Sequence, residues 1–131
     1  MIFLDTNIIS YCLSPNERII NKLEESITNG ESIYITLLNV YEILKGLKWR
    51  KNLTKEKFFN GFLKRVQVAN IDDVVVSLAT EIYADLRRKG KTIGDIDILI
   101  AAIVIKNNGI LVTNNTKHYE IIESLKIENW L

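Results

Sequence analysis

Three carboxylates stand where chemistry is most easily built. Asp5 ends the apolar run Met1–Leu4 and opens the polar cluster Asp5-Thr6-Asn7. A short unbroken apolar run reads as a strand buried on both faces. A carboxylate at the carboxyl end of such a strand is where an α/β protein usually places a metal ion or a phosphate group. The competing role for Asp5 is to cap the helix that begins at Thr6. Asp97 adjoins Ile96, Ile98, Leu99 and Ile100 near the start of the most hydrophobic helical stretch of the chain. Its competing role, first-turn stabilisation of the helix dipole, contributes only ~0.3–1 kcal/mol, which is small against the cost of burying an unpaired carboxylate. Asp95, two residues earlier, faces elsewhere on a helix and is expected to be its N-cap. Glu42 lies in a helical stretch with Lys45 on the same side, and a solvated Glu42–Lys45 pair is the plainer account of it on sequence alone. If Asp5, Glu42 and Asp97 converge, their hard oxygens select magnesium or manganese rather than zinc, and activating a water nucleophile falls to the ion.

The elements that must position these groups alternate. Strands are expected at Met1–Leu4, Ile33–Leu38, Val66–Ala69 and Ile110–Thr113, with a last extended piece at Lys126–Trp130. Between them, helical spacing predicts Ile19–Ile27, stopped by Asn29-Gly30, then Asn39–Leu47, then Thr54–Arg65. A further helix, capped by Asp72 or Asp73, carries the ladder Val74, Leu78, Ile82, Leu86 and ends at Gly90. Ile96–Ile105 is apolar almost all round and must be central, and a short helix is expected near Tyr119. Strands alternating with helices predict α/β with a mostly parallel sheet, in which residues just beyond strand ends are the functional candidates.

At 131 residues, with 47% apolar and 25% charged residues and one proline, the chain is expected to be a single domain, residues 1–131, and not disordered. Seventeen basic and sixteen acidic residues leave a formal charge of +1, so attraction to nucleic acid or membrane must be local. One cysteine, Cys12, excludes an intrachain disulfide, and with one histidine, His118, it excludes the usual zinc sites. No glycine-rich phosphate loop or GxSxG elbow is present. The opening MIFLDTN lacks the basic region of a signal peptide, and the longest apolar run, Ile98–Ile105, falls short of the ~18 residues of a membrane span, so a cytoplasmic location is expected.

LDTNI at the amino end, a glutamate inside LLNVYEILKG, DILIAA beginning at Asp97, and LVTNNTKHY with a terminal NW together resemble the PIN domain, particularly the VapC-like toxins of bacterial toxin–antitoxin pairs. The resemblance runs end to end. It implies a PIN-like three-layer α/β/α fold around a central, mostly parallel five-stranded sheet, and Mg²⁺- or Mn²⁺-dependent endonucleolytic cleavage of RNA. Asp5, Glu42 and Asp97 match the family's acidic positions. In the mechanism this implies, Asp5 and Asp97 hold the metal and Glu42 orients the water or accepts its proton. The chain departs from the family at a fourth acid, found in many relatives where Asn115 or His118 stands here. Asn115 could still supply a neutral oxygen and His118 could touch a metal or a phosphate, and a second permanently bound ion is put in doubt.

The resemblance also implies a VapB-like antitoxin partner, a homodimer and possible higher toxin–antitoxin assembly. Between Lys45 and Arg65 eight basic residues face one acid, Glu56, and Arg87, Arg88, Lys89 and Lys91 form a second cluster. Either is a local phosphate-attracting patch or a solvated helix face. If the family carries over, the first region also receives the antitoxin and helps build the dimer. Phe59 and Phe62 are expected to pack inside, with Trp49 left open. The rival to the nuclease is a PIN-fold module disabled by loss of the fourth acid, which binds only RNA or antitoxin. A phosphoacceptor receiver domain ranks last, because Thr36–Asn39 and Thr113–Asn115 offer no convincing acid-and-lysine set for it.

Overall fold

Strands as apolar as β1 (Ile2–Leu4) must be covered on both faces, and that requirement organises the chain. A computed structural model describes residues 1–14 and 16–131. In it β1 lies mid-sheet between β2 (Ile33–Thr36) and β4 (Ile110–Val112), with β3 (Gln67–Ala69) and β5 (Lys126–Glu128) at the edges. The order is β3-β2-β1-β4-β5, every pairing is parallel, and Ile2 stands opposite both Ile33 and Ile110. The expected five-stranded sheet is therefore parallel throughout.

Parallel neighbours need crossovers, and the helices supply them. Alternation along β1 sorts the core into two. Ile2 and Leu4 pack with α1 (Thr6–Cys12), α2 (Glu17–Thr28), α3 (Leu37–Trp49) and α4 (Leu53–Leu63) through Ile8, Ile9, Ile19, Ile43, Leu47 and Phe59. Phe3 packs with α5 (Asp73–Arg88), α6 (Asp95–Lys106) and α7 (Thr116–Tyr119) through Val75, Leu86, Ile100, Ile103 and Tyr119. The result is a three-layer α/β/α architecture. Its chain order reverses between β1 and β4, so the carboxyl ends of those strands open the crevice where such sheets bind ligands.

Two local expectations are corrected. The inward ridge of α5 is Val75, Ala79, Ile82 and Leu86, while Val74 is exposed, because three consecutive valines leave the helical register ambiguous by one residue. The N-cap of α6 is Gly94, in extended conformation, and Asp95 is already the first helical residue. Asp72 caps α5 through Val75 N–H, and Gly90, at φ +70°, follows the end of that helix as expected. Among the described residues no helix is long and apolar enough to cross a membrane.

Cys12, at the end of α1, is a free and half-buried thiol whose burial pushes its pKa up to about 11. At pH 8 it is almost wholly protonated, and only the thiolate attacks electrophiles. Native protein is thus expected to react with a disulfide reagent at pH 8 about 100-fold more slowly than the urea-unfolded chain, whose thiol sits near ~8.5. Equal rates would contradict the burial.

Candidate active site

The last ladder bond of β1 is donated by Asp5 N–H to Val112 O (2.9 Å), and there the strand becomes α1. The two roles weighed for Asp5 prove compatible, because its oxygens divide them. Oδ1 accepts Thr6 N–H at 2.9 Å as the N-cap of α1. Oδ2 turns to the neighbouring strand end, accepting the Thr113 hydroxyl at 2.8 Å and Asn7 Nδ2–H at 3.3 Å. Asn7 in turn accepts Asn114 N–H at 3.2 Å, tying the ends of β1 and β4 together.

Glu42 comes from α3, whose first turn is set by a capping box: Thr36 N–H donates to Asn39 Oδ1 (2.8 Å) and Asn39 N–H donates to Thr36 Oγ1 (3.2 Å). One turn on, Glu42 Oε1 accepts the Thr6 hydroxyl at 2.7 Å, so the glutamate meets the residue next to Asp5. The alternative Glu42–Lys45 pair does not form among the described residues. The Lys45 ammonium lies 5.0 Å from the centre of the Tyr41 ring instead, a cation–π contact one turn along the helix.

Asp97, third residue of α6, is not the buried charge its apolar neighbours implied, since its side chain is 33% exposed. The partner it requires is nevertheless present, in α7. Tyr119 O–H donates to Oδ1 (3.1 Å), and His118 Nε2 lies 2.8 Å from Oδ2. A carboxylate only accepts, so Nε2 carries the hydrogen. Burial is the first cause pushing the Tyr119 hydroxyl far above its ordinary pKa, followed by the charges of Asp5 and Asp97, and it stays a donor.

Asp5 is 5% exposed, and burial pushes its carboxyl above the usual range. Hydrogen bonds from Thr113 and Thr6 oppose that shift, while the charges of Asp97 and then Glu42 add to it. Asp5 therefore feels both other acids. Among the described residues no lysine or arginine lies within ion-pair distance of any of the three. Among the described residues, His118 is the one basic side chain that touches the acids, through Asp97 Oδ2.

Of the lesser candidates, His118 joins the site. Asn115, exposed at the start of α7, adds only its backbone N–H to Thr113 Oγ1 (3.0 Å). Asp95 is carried away from the site, lining a shallow depression against Val76, Ala79 and Tyr83 of α5, because two residues along a helix turn a side chain by more than a right angle. Sequence reading had Thr6 only as part of the polar cluster after Asp5, and missed Asn39, Thr113 and Tyr119. Thr113 was findable, since it ends β4 as Asp5 ends β1, and Thr36-x-x-Asn39 is a variant of the capping-box signature.

The donors are carboxylate and hydroxyl oxygens, the set that suits a hard divalent cation. Among the described residues no three acids, histidines or cysteines gather closely enough to cage an ion by themselves.

A family model described as the PIN domain matches residues 2–123. The chain is 30% identical over 128 residues to Ribonuclease VapC2 of Rickettsia felis, covering 97% of this chain and 96% of that relative. It is 28% identical over 130 residues to the tRNA(fMet)-specific endonuclease VapC of Shigella flexneri, with the same two coverages. Among solved structures, VapBC2 from Rickettsia felis bound to a DNA fragment from its promoter aligns with a TM-score of 0.91 at 32% identity, covering 100% of both chains. With the family's model matching residues 2–123 and a relative 30% identical over nearly the whole length of both chains, the chain belongs to the PIN domain family.

Proposed function

We propose that this chain is a metal-dependent endoribonuclease, the toxin of a toxin–antitoxin pair, restrained by a VapB-like antitoxin. What supports the reading is Asp5, buried at the switch point of a parallel sheet and feeling the charges of Asp97 and Glu42, with no lysine or arginine among the described residues paired to any of the three acids. Full-length relatives that bear ribonuclease and endonuclease names, and a neighbour solved as a VapBC complex, support it.

Asp5 and Asp97 would hold Mg²⁺ or Mn²⁺. When bound, such an ion polarises a scissile phosphate and makes a nearby water more acidic. The chain supplies the rest. Thr113 and Asn7 orient Asp5, while Tyr119 and His118 hold Asp97 from the opposite element. Glu42 has Oε1 engaged by Thr6, which leaves Oε2 to orient the attacking water and accept its proton. The antitoxin belongs in the apolar groove of about 780 Å³ between α2 and α4, walled by Leu23, Ile27, Phe58 and Phe62 and edged by Lys57 and Arg65. A homodimer in the cytoplasm completes the proposal.

The test is purified protein, free of antitoxin, incubated with total RNA and Mg²⁺ or Mn²⁺ beside Asp97→Asn. Wild type is expected to cleave, EDTA to stop it, and Asp97→Asn to lose at least about 100-fold in rate. Identical RNA patterns from folded wild type and variant would replace the enzyme with the binding module.

A further inference from the structure

Beyond the three acids, a chain of polar groups runs through the crevice with a direction that can be assigned atom by atom. Asn39 and Thr36 are both fully buried. Asn39 Oδ1 receives Thr36 N–H and Thr36 Oγ1–H, each at 2.8 Å. The first of these is a backbone donor that cannot reverse, so the orientation of the Asn39 amide is settled and its Nδ2–H₂ must point outward. That group donates to Thr6 Oγ1 at 3.0 Å. A hydroxyl has one proton, and with Oγ1 accepting from Asn39 that proton goes to Glu42 Oε1, 2.7 Å away.

We propose that Asn39 and Thr6 form a one-way hydrogen-bond relay that presets Glu42, making both positioning residues for the group that handles the attacking water. The inference rests on the nuclease reading above and deepens it. The relay starts from the backbone end of β2, so the sheet itself dictates which glutamate oxygen is occupied and which faces substrate. Its cost is low, because Asn39 serves the capping box of α3 with the same side chain.

Asn39→Asp separates relay from cap. It keeps an oxygen for both Thr36 donors but replaces the outward amide with an acceptor, so the Thr6 proton is drawn away from Glu42. The expected result is a kcat lower by about 10- to 100-fold with KM within about twofold, since an oriented group and not a binding contact is lost. Thr6→Val should fall equally, and Thr6→Ser should restore most of the rate. The Asn39→Asp/Thr6→Val double variant should be no worse than either single, because one chain is broken once. The second readout needs no activity. In metal-free protein, Glu42→Gln should move the Asn39 side-chain amide cross-peak in a ¹H–¹⁵N spectrum, and should leave it unmoved in a Thr6→Val background. A wild-type rate for Thr6→Val, additive losses in the double variant, or an Asn39 amide indifferent to Glu42→Gln each overturns the relay. A wild type that cleaves no RNA overturns the nuclease reading instead, and the amide shift then decides the relay alone.

Discussion

Asp5→Asn is expected to lose RNA cleavage by on the order of 10³-fold and, in EDTA at pH 7, to melt at a higher temperature than wild type. The loss follows from removing one of two charges proposed to hold the ion. The gain follows from burial, which raises the Asp5 carboxyl above its ordinary pKa, with the charges of Asp97 and Glu42 adding to the shift. A carboxyl whose native pKa exceeds its unfolded value binds more protons when folded, so stability falls as pH rises through the native pKa. At pH 7 ionised Asp5 therefore weighs against the fold, and an amide of the same shape does not ionise. The capping bond survives, because the asparagine oxygen can still accept Thr6 N–H. Two further signs are fixed. The stability gap between variant and wild type should narrow as pH falls towards the raised pKa and wild type takes up its proton. It should also narrow when Mg²⁺ is added, since an ion that binds only native wild type stabilises it by mass action. Thermal unfolding followed by circular dichroism at pH 5 and pH 7, with and without Mg²⁺, reads all of these. An Asp5→Asn protein that melts below wild type in EDTA at pH 7 would show that the carboxylate's hydrogen bonds outweigh its desolvation.

What the sequence made legible tracks how local each signal is. Asp5 and Asp97 were legible because each interrupts an apolar run, where a charge needs a reason. The fold class was legible for the same cause, since runs such as Ile2–Leu4 and Ile110–Val112 have no amphipathic face to show to water. Glu42 was not, because on its own helix it is one charge among neighbours, and only the likeness to a family separated it from a salt-bridged surface residue. What distinguishes it is the Thr6 hydroxyl, 36 positions away in the chain, a contact that no spacing encodes. Tyr119 was equally hidden: an aromatic in a short helix reads as core, which it is, at 1% exposed, and its hydroxyl is what reaches Asp97. The rotation of α5 shows a different limit. Val74, Val75 and Val76 are chemically alike, so only packing against α6 decides which of them turns inward.

The adjacent phenylalanines of α4 should respond to truncation in opposite ways. Phe59 is fully buried, stacks on Phe62 with ring centres 6.2 Å apart, and joins the core beneath the sheet with Ile35, Ile43 and Leu47. Phe59→Ala removes that burial and leaves a cavity, costing about 3–5 kcal/mol, a large part of the 5–15 kcal/mol typical of a whole domain. For a chain of this length that lowers Tm by about 10–20 °C. Phe58 is 65% exposed on the wall of the groove, and Phe58→Ala should stay within about 0.5 kcal/mol of wild type in urea unfolding. Its effect should appear in the other assay. If the antitoxin covers this groove, an exposed aromatic on the wall is an anchor, and its loss should weaken antitoxin binding by about 10-fold or more while RNA cleavage by free toxin continues. Calorimetric titration of antitoxin into Phe58→Ala, set beside urea curves for both variants, separates the roles. An unchanged affinity would move the antitoxin off this groove, and a Phe59→Ala protein as stable as wild type would mean that α4 does not hold the core as its burial states.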